Sequence, residues 1–75
     1  MIEAEKSDGK ISYQLSGVDC DAQIYIALYC NDRLVSAKQG ELQGSFECEL
    51  EGEYTIKVFN WDGMEPLDLV MHKDI

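Results

Sequence analysis

The stretch YTIKVFNWDGMEPLDL, residues 54–69, decides the fold class of this chain of 75 residues. Every second residue from Tyr54 to Val58 is apolar, the spacing that turns one face of a strand into a core. The run Trp61-Asp62-Gly63 then breaks the strand, and Pro66 lacks the backbone donor that a central strand needs. The stretch therefore predicts a buried strand, a sharp acidic turn and a short closing strand.

The same alternation recurs along the chain, and no segment carries the apolar stripe of an amphipathic helix. Seven strands are expected, over residues 2–5, 10–16, 22–30, 33–38, 45–50, 54–60 and 67–72, with a loop over 39–44. Asn31-Asp32 is expected to form a tight hairpin turn. In the middle strands the side chains expected to point inward are Ile24, Ile26, Leu28, Cys30, Leu34, Val35, Phe46, Cys48 and Leu50.

Seven short strands with a turn signal about every ten residues predict an all-β fold, a two-sheet sandwich like those of immunoglobulin or fibronectin type III domains. Strands one, two and five would form one antiparallel sheet, and strands four, three, six and seven the other. A chain of this length forms one domain, 1–75, and its thin core leaves little room for a catalytic cleft. We expect this domain to be excised from a larger protein.

The charge balance restricts the classes of partner. Fifteen acidic residues against six basic ones give a net charge of -9. Nucleic acid requires clustered cations and would be repelled, as would an anionic membrane surface. No apolar run reaches the length of about 20 residues that crosses a bilayer, and residues 1–8, which are acidic rather than basic and apolar, are not expected to act as a signal peptide.

The three cysteines, Cys20, Cys30 and Cys48, do not have the spacing of a metal site. Cys30 and Cys48 alternate in phase with apolar neighbours, so buried free thiols are expected, with a disulfide between them as the alternative. The only histidine, His72, lies near the end of the chain, and no second base stands out. Catalysis by cysteine is therefore not expected.

Two motifs resemble a known class of module. Residues 26–35, IALYCNDRLV, form a hairpin, and Phe59-x-Trp61-Asp62 followed by Pro66-Leu67 closes the chain. Together they resemble small β-sandwich accessory modules of secreted and cell-surface proteins from Gram-positive, clostridial-type bacteria. The resemblance implies a non-enzymatic module attached to other domains, located outside the cell. A cytoplasmic location is the alternative.

The sixth strand also resembles that of immunoglobulin-like domains without a disulfide. In those domains a tyrosine near the start of this strand bonds back to the preceding corner. The resemblance implies this role for Tyr54.

Three groups of residues are candidates for a site. Tyr25, Tyr29 and Phe59 are out of phase with the core and are expected to share the outer face of one sheet. Cross-strand pairing that only covers the sheet is the leading interpretation, and binding of a protein partner or of a glycan is the alternative. Trp61 is expected to plug the mouth of the core, with a ligand-facing role as the alternative, and Asp62 to cap its turn.

The third group is acidic. Asp19, Asp21, Asp62 and Glu65 lie in two loops that the predicted topology brings to the same end of the sandwich. Calcium takes such oxygen ligands, but no EF-hand pattern is present, so loops without metal are the leading interpretation. No other cofactor is expected.

The sequence therefore predicts a structural or interaction module without catalytic residues, a spacer or adhesion-type domain of a larger bacterial protein. Its partners would be neighbouring domains and a protein or glycan. One alternative is a carbohydrate-binding module that uses the exposed aromatic residues. The other is a stand-alone cytosolic domain that binds protein.

Overall fold

The computed structural model describes residues 1–18 and 23–75 of the chain, and these residues form a two-sheet sandwich. Its two antiparallel sheets have the strand orders β1-β2-β5 and β4-β3-β6-β7. The all-β class and the sorting of the strands into sheets are as the sequence predicts. The seven strands of the described residues are β1 Ile2–Ser7, β2 Lys10–Leu15, β3 Ile24–Cys30, β4 Arg33–Gln39, β5 Gln43–Glu47, β6 Tyr54–Trp61 and β7 Pro66–Asp74.

The core lies between the sheets and is built from the alternating residues of the central strands. Ile26, Leu28, Ile56 and Val58 on β3 and β6 are fully buried, and Ile11 on β2 faces them from the other sheet. Burying each such side chain contributes about 1.5–3 kcal/mol. The remaining buried members of the cluster are Ile2, Tyr13, Leu15, Ile24, Cys30, Phe46, Cys48 and Tyr54.

Tight turns fix the pairing of neighbouring strands. Asn31 and Asp32 join β3 to β4 with φ angles of 52° and 66°. Positive φ at both central residues is typical of the two-residue turn whose twist matches a hairpin, so the predicted turn is confirmed.

Tyr54 closes the end of the sandwich beside this turn. Its hydroxyl donates a hydrogen bond to the Leu50 carbonyl oxygen at 2.6 Å, and its ring is buried. The corner geometry implied for Tyr54 is therefore present. The Glu53 N–H donates to the Asn31 side-chain oxygen at 3.0 Å, which links the two turns at this end.

The inward prediction for Leu34 and Val35 is wrong. The two-residue turn pairs Cys30 with Arg33, so Leu34 lies opposite Tyr29 on the outer face, and a β-bulge between Leu28 and Tyr29 then takes Val35 out of the pairing with β3. Leu34 is 55% exposed and Val35 38%. The extra residue of a bulge reverses the alternation beyond it, which a strict period of two cannot represent.

The prediction for β5 is displaced along the chain. The strand covers Gln43–Glu47 rather than 45–50, and the predicted 39–44 loop is reduced to 40–42. Leu50 therefore lies beyond the strand and is exposed, not inward. Gly44 permits the early start, because it lies opposite Tyr13, where a Cβ atom would come within 3.3 Å of the tyrosine hydroxyl.

Cys30 and Cys48 are both buried and both free, as the sequence predicts. Residues 19–22 lie outside the described part of the chain, and Cys20 is among them.

Candidate functional site

The outer face of the β4-β3-β6-β7 sheet carries the predicted aromatic residues. Tyr25 on β3 lies directly opposite Phe59 on β6, with ring centroids 6.3 Å apart. Tyr29 follows on the same face of β3, opposite Thr55. The shared face expected for Tyr25, Tyr29 and Phe59 is therefore present, while their role in binding stays a prediction.

Trp61 belongs to this face as well, so the expectation that it plugs the mouth of the core is wrong. Its ring stacks on Tyr25, with centroids 5.1 Å apart and an angle of 19° between the ring planes. The reason is that β6 continues through Trp61, which keeps the outward phase of Phe59. The sequence pattern predicts a strand that ends at residue 60, with Trp61 in the turn that follows.

β7 extends the apolar face toward the edge of the sheet. Leu69 lies opposite Phe59 and is 50% exposed. The sequence does not predict Leu69 as part of a site, because register shifts on both sides of the Phe59–Leu69 pair interrupt the alternation along β7. Tyr25, Phe59, Trp61 and Leu69 together form the outer apolar surface.

Packing on this face is close enough to bury a residue outside the core. Ala27 has the outward phase of β3 between Tyr25 and Tyr29, yet it is fully buried. The Lys57 ammonium lies 4.5 Å from the centroid of the Tyr29 ring, a cation–π distance. The surface is thus an ordered layer of side chains over the sheet.

The turn between β6 and β7 holds Asp62 by its backbone. The N–H groups of Met64 and Glu65 both donate to Asp62 Oδ1 at 2.8 Å. The bond from Glu65, followed by that from Met64, lowers the pKa of the Asp62 carboxyl below its ordinary value. The predicted cap is therefore confirmed.

The calcium candidates are only partly placed. Asp62 and Glu65 lie in the β6–β7 turn, but Asp19 and Asp21 fall outside the described residues. Within residues 1–18 and 23–75, no group of three or more acidic, histidine or cysteine side chains is arranged to hold a metal.

Cys30 and His72 lie on opposite faces of the β4-β3-β6-β7 sheet. Cys30 faces the core, whereas His72 on β7 is exposed and lies opposite the outward-facing Lys57. The Cys30 Sγ lies 3.9 Å from the Glu51 carbonyl oxygen, a long hydrogen bond to backbone. This arrangement does not pair a nucleophile with a base.

A depression of about 510 Å³ lies between the edge strands β4 and β5. Val35 and Phe46 line it together with Lys38. The Lys38 ammonium already interacts with the Glu41 carboxylate at 3.3 Å and with the Phe46 ring at 5.6 Å. The groove is polar and open, and its lysine is engaged within the protein.

Comparisons with protein-family models, with curated proteins and with solved structures find no match to this chain. In the described part of the chain there is no helix of sufficient length and apolar character to span a membrane.

Proposed function

We propose that this chain is a non-enzymatic interaction module that contacts a protein partner through its outer apolar surface. The observation that carries the proposal is the continuous apolar face from Tyr25 through Phe59 to Leu69, on the side of the sheet away from the core. Half-exposed leucines beside ordered aromatic rings are typical of contact surfaces, where aromatic anchors supply most of the binding energy.

Protein is favoured over carbohydrate by the way the rings pack. Tyr25 and Trp61 stack on each other, and Lys57 covers one face of Tyr29. Stacking on a sugar requires an open ring face, whereas a protein partner makes use of ring edges and leucine side chains equally well.

The resemblance of the C-terminal motif to accessory modules supports a place within a larger secreted or surface protein of a bacterium. In that setting the sandwich would act as a compact spacer, and its outer apolar surface would contact a neighbouring domain or a separate protein. The cytosolic alternative uses the same surface.

The proposal is tested by photo-crosslinking in cells of the source organism. A photoreactive phenylalanine analogue replaces Leu69 in one sample and the similarly exposed Leu50, which lies outside the surface, in the other. We expect a discrete protein adduct from position 69 only, and binding of the purified adduct partner to the unmodified chain. Adducts of equal yield from both positions, or none from either, would contradict the proposal.

A further inference from the structure

We infer that the outer apolar surface binds an extended protein segment that has apolar residues in its middle and a lysine or arginine at each end. The inference rests on the proposed function and adds the chemistry of the partner. It is carried by the distribution of charge around this face.

The middle of the face is free of carboxylates. Between the Tyr25–Phe59 pair and the Tyr29–Thr55 pair, the outward residues of β3 and β6 are Ala27 and Lys57. The outward positions of β4 opposite β3 are Leu34, Ala37 and Gln39. In a chain with fifteen acidic residues, a face of this size without a carboxylate in its middle is suited to apolar contact.

Both ends of the same face are acidic. At one end Asp32, Glu53 and Asp74 line a hollow of about 420 Å³, and Thr55 connects the hollow to the face through a hydrogen bond of 2.8 Å to Asp74. At the other end, next to Trp61, the exposed β6–β7 turn carries Asp62 and Glu65.

The distance between the two ends sets the spacing of the partner's charges. β6 runs from Thr55 at the first end to Trp61 at the second, six residues at about 3.3 Å each, or roughly 20 Å. An extended segment covers this distance with cations about six residues apart. Charge complementarity of this kind favours such a segment over a neutral one.

A second copy of the chain fits less well. Each copy has a net charge of -9. If two outer apolar surfaces met, the carboxylates at the ends of one face would lie close to those of the other copy and would repel them. Pairing of two copies is therefore an outcome that the test must detect.

The test uses two synthetic peptides and the only tryptophan of the chain. Trp61 lies in the surface, so its fluorescence reports binding directly. One peptide has five alternating valines and threonines between two terminal lysines, and the other has the same centre between two glutamates; both have blocked ends. We expect the lysine peptide to bind at least about tenfold more tightly in 50 mM salt. The difference should fall to under about threefold in 500 mM salt, because salt screens exposed charges.

Charge-neutralising variants show which carboxylates cause the tighter binding of the lysine peptide. Glu53→Gln with Glu65→Gln removes one carboxylate from each end of the face and should weaken binding of the lysine peptide roughly fivefold, from two exposed ion pairs. The matched control, Glu3→Gln with Glu5→Gln, makes the same change in charge on β1 of the other sheet and should leave the affinity unchanged.

Three results would overturn the inference. Equal affinity for the two peptides would show an apolar surface without charge selection, and the proposed function would survive. Binding of neither peptide would reject an extended basic segment as the partner, while the cross-linking experiment tests the proposed function separately. The third result is a dimer, detected by sedimentation, that grows more stable with salt. If the formation of this dimer buries Trp61, the outer apolar surface binds a second copy of the chain.

Discussion

At the scale of single residues, Tyr54 connects the segment after β5 to the core. Its hydroxyl donates a hydrogen bond of 2.6 Å to the Leu50 carbonyl. Burial raises the pKa of this phenol, and the nearby Cys30 and Cys48 thiols raise it further. The ring therefore remains neutral and keeps its donor across the ordinary pH range.

Tyr54→Phe should lower the free energy of unfolding by about 1–2 kcal/mol, because the Leu50 carbonyl loses its donor while the ring still fills its place. Urea denaturation measures the difference. The control is Tyr29→Phe, whose hydroxyl makes no hydrogen bond with the described residues and whose loss should change stability by less than about 0.5 kcal/mol. Equal effects of the two substitutions would show that the Tyr54 hydroxyl does not stabilise the corner.

Asp62 gives the turn between β6 and β7 a dependence on pH. Since hydrogen bonds from Glu65 and Met64 lower its pKa, the carboxylate stabilises the folded state above the ordinary aspartate pKa of about 3.9. This contribution is lost as the pH falls through the lower pKa of the folded state. Asp62→Ala should therefore be less stable than the unmodified chain at pH 6, and the difference should shrink toward pH 2.

The measurement is thermal unfolding of both proteins at a series of pH values. Asp68→Ala serves as the control, because it removes an exposed carboxylate from β7 that accepts no hydrogen bond from the described residues. A difference between Asp62→Ala and the unmodified chain that stays constant from pH 6 to pH 2 would contradict the capping role.

At the scale of elements, the turn before β6 depends on a glycine. Gly52 has a φ of +147°, and a Cβ atom there would lie 2.4 Å from the Asn31 side-chain nitrogen. Gly9, in the β1–β2 turn, also has a positive φ, 76°, but nothing lies within 4 Å of the place its Cβ would take. A comparison of alanine substitutions at these two positions therefore separates the cost of a strained φ angle from the cost of steric overlap.

Gly52→Ala should destabilise the fold by about 2–4 kcal/mol, and Gly9→Ala by about 1–2 kcal/mol, because only the first substitution adds a clash to the unfavourable φ. Chemical denaturation of both variants measures the difference. A cost for Gly9→Ala as large as that for Gly52→Ala would show that contact with Asn31 is unimportant.

The strands show which parts of the fold can be predicted from the sequence pattern. The alternation from Ile24 to Cys30 and from Tyr54 to Val58 predicts the two central strands, because both must bury one face. Turn chemistry predicts the hairpin at Asn31. The register of that hairpin already places Leu34 outward, opposite Tyr29, whereas the bulge at Val35 comes from pairing with β3 and leaves no mark in the sequence of β4 itself.

The candidate site was predictable to a similar extent. Tyr25, Tyr29 and Phe59 were identifiable because they are out of phase with the core. Trp61 and Leu69 were not, since their positions depend on how far β6 runs and on two register shifts in its pairing with β7. Edge strands with bulges follow their neighbours rather than their own alternation.

At the scale of the whole molecule, apolar side chains are divided between two layers. One layer is the core between the sheets, and the other is the outer apolar surface, which the fold leaves half-exposed. The net charge of -9 gives two copies of the chain a mutual electrostatic repulsion. The central claim is that the second layer serves binding and contributes little to folding.

The most direct test compares Leu69→Ser with Leu50→Ser. Both leucines are about half exposed, at 50% and 55%, but only Leu69 belongs to the outer apolar surface. The measurement is the Kd for the partner isolated by cross-linking, together with the free energy of unfolding. We predict that both variants stay within about 0.5 kcal/mol of the unmodified chain in stability, and that only Leu69→Ser loses affinity, by about tenfold or more. Equal loss of affinity in both variants, or unfolding of Leu69→Ser, would contradict the claim.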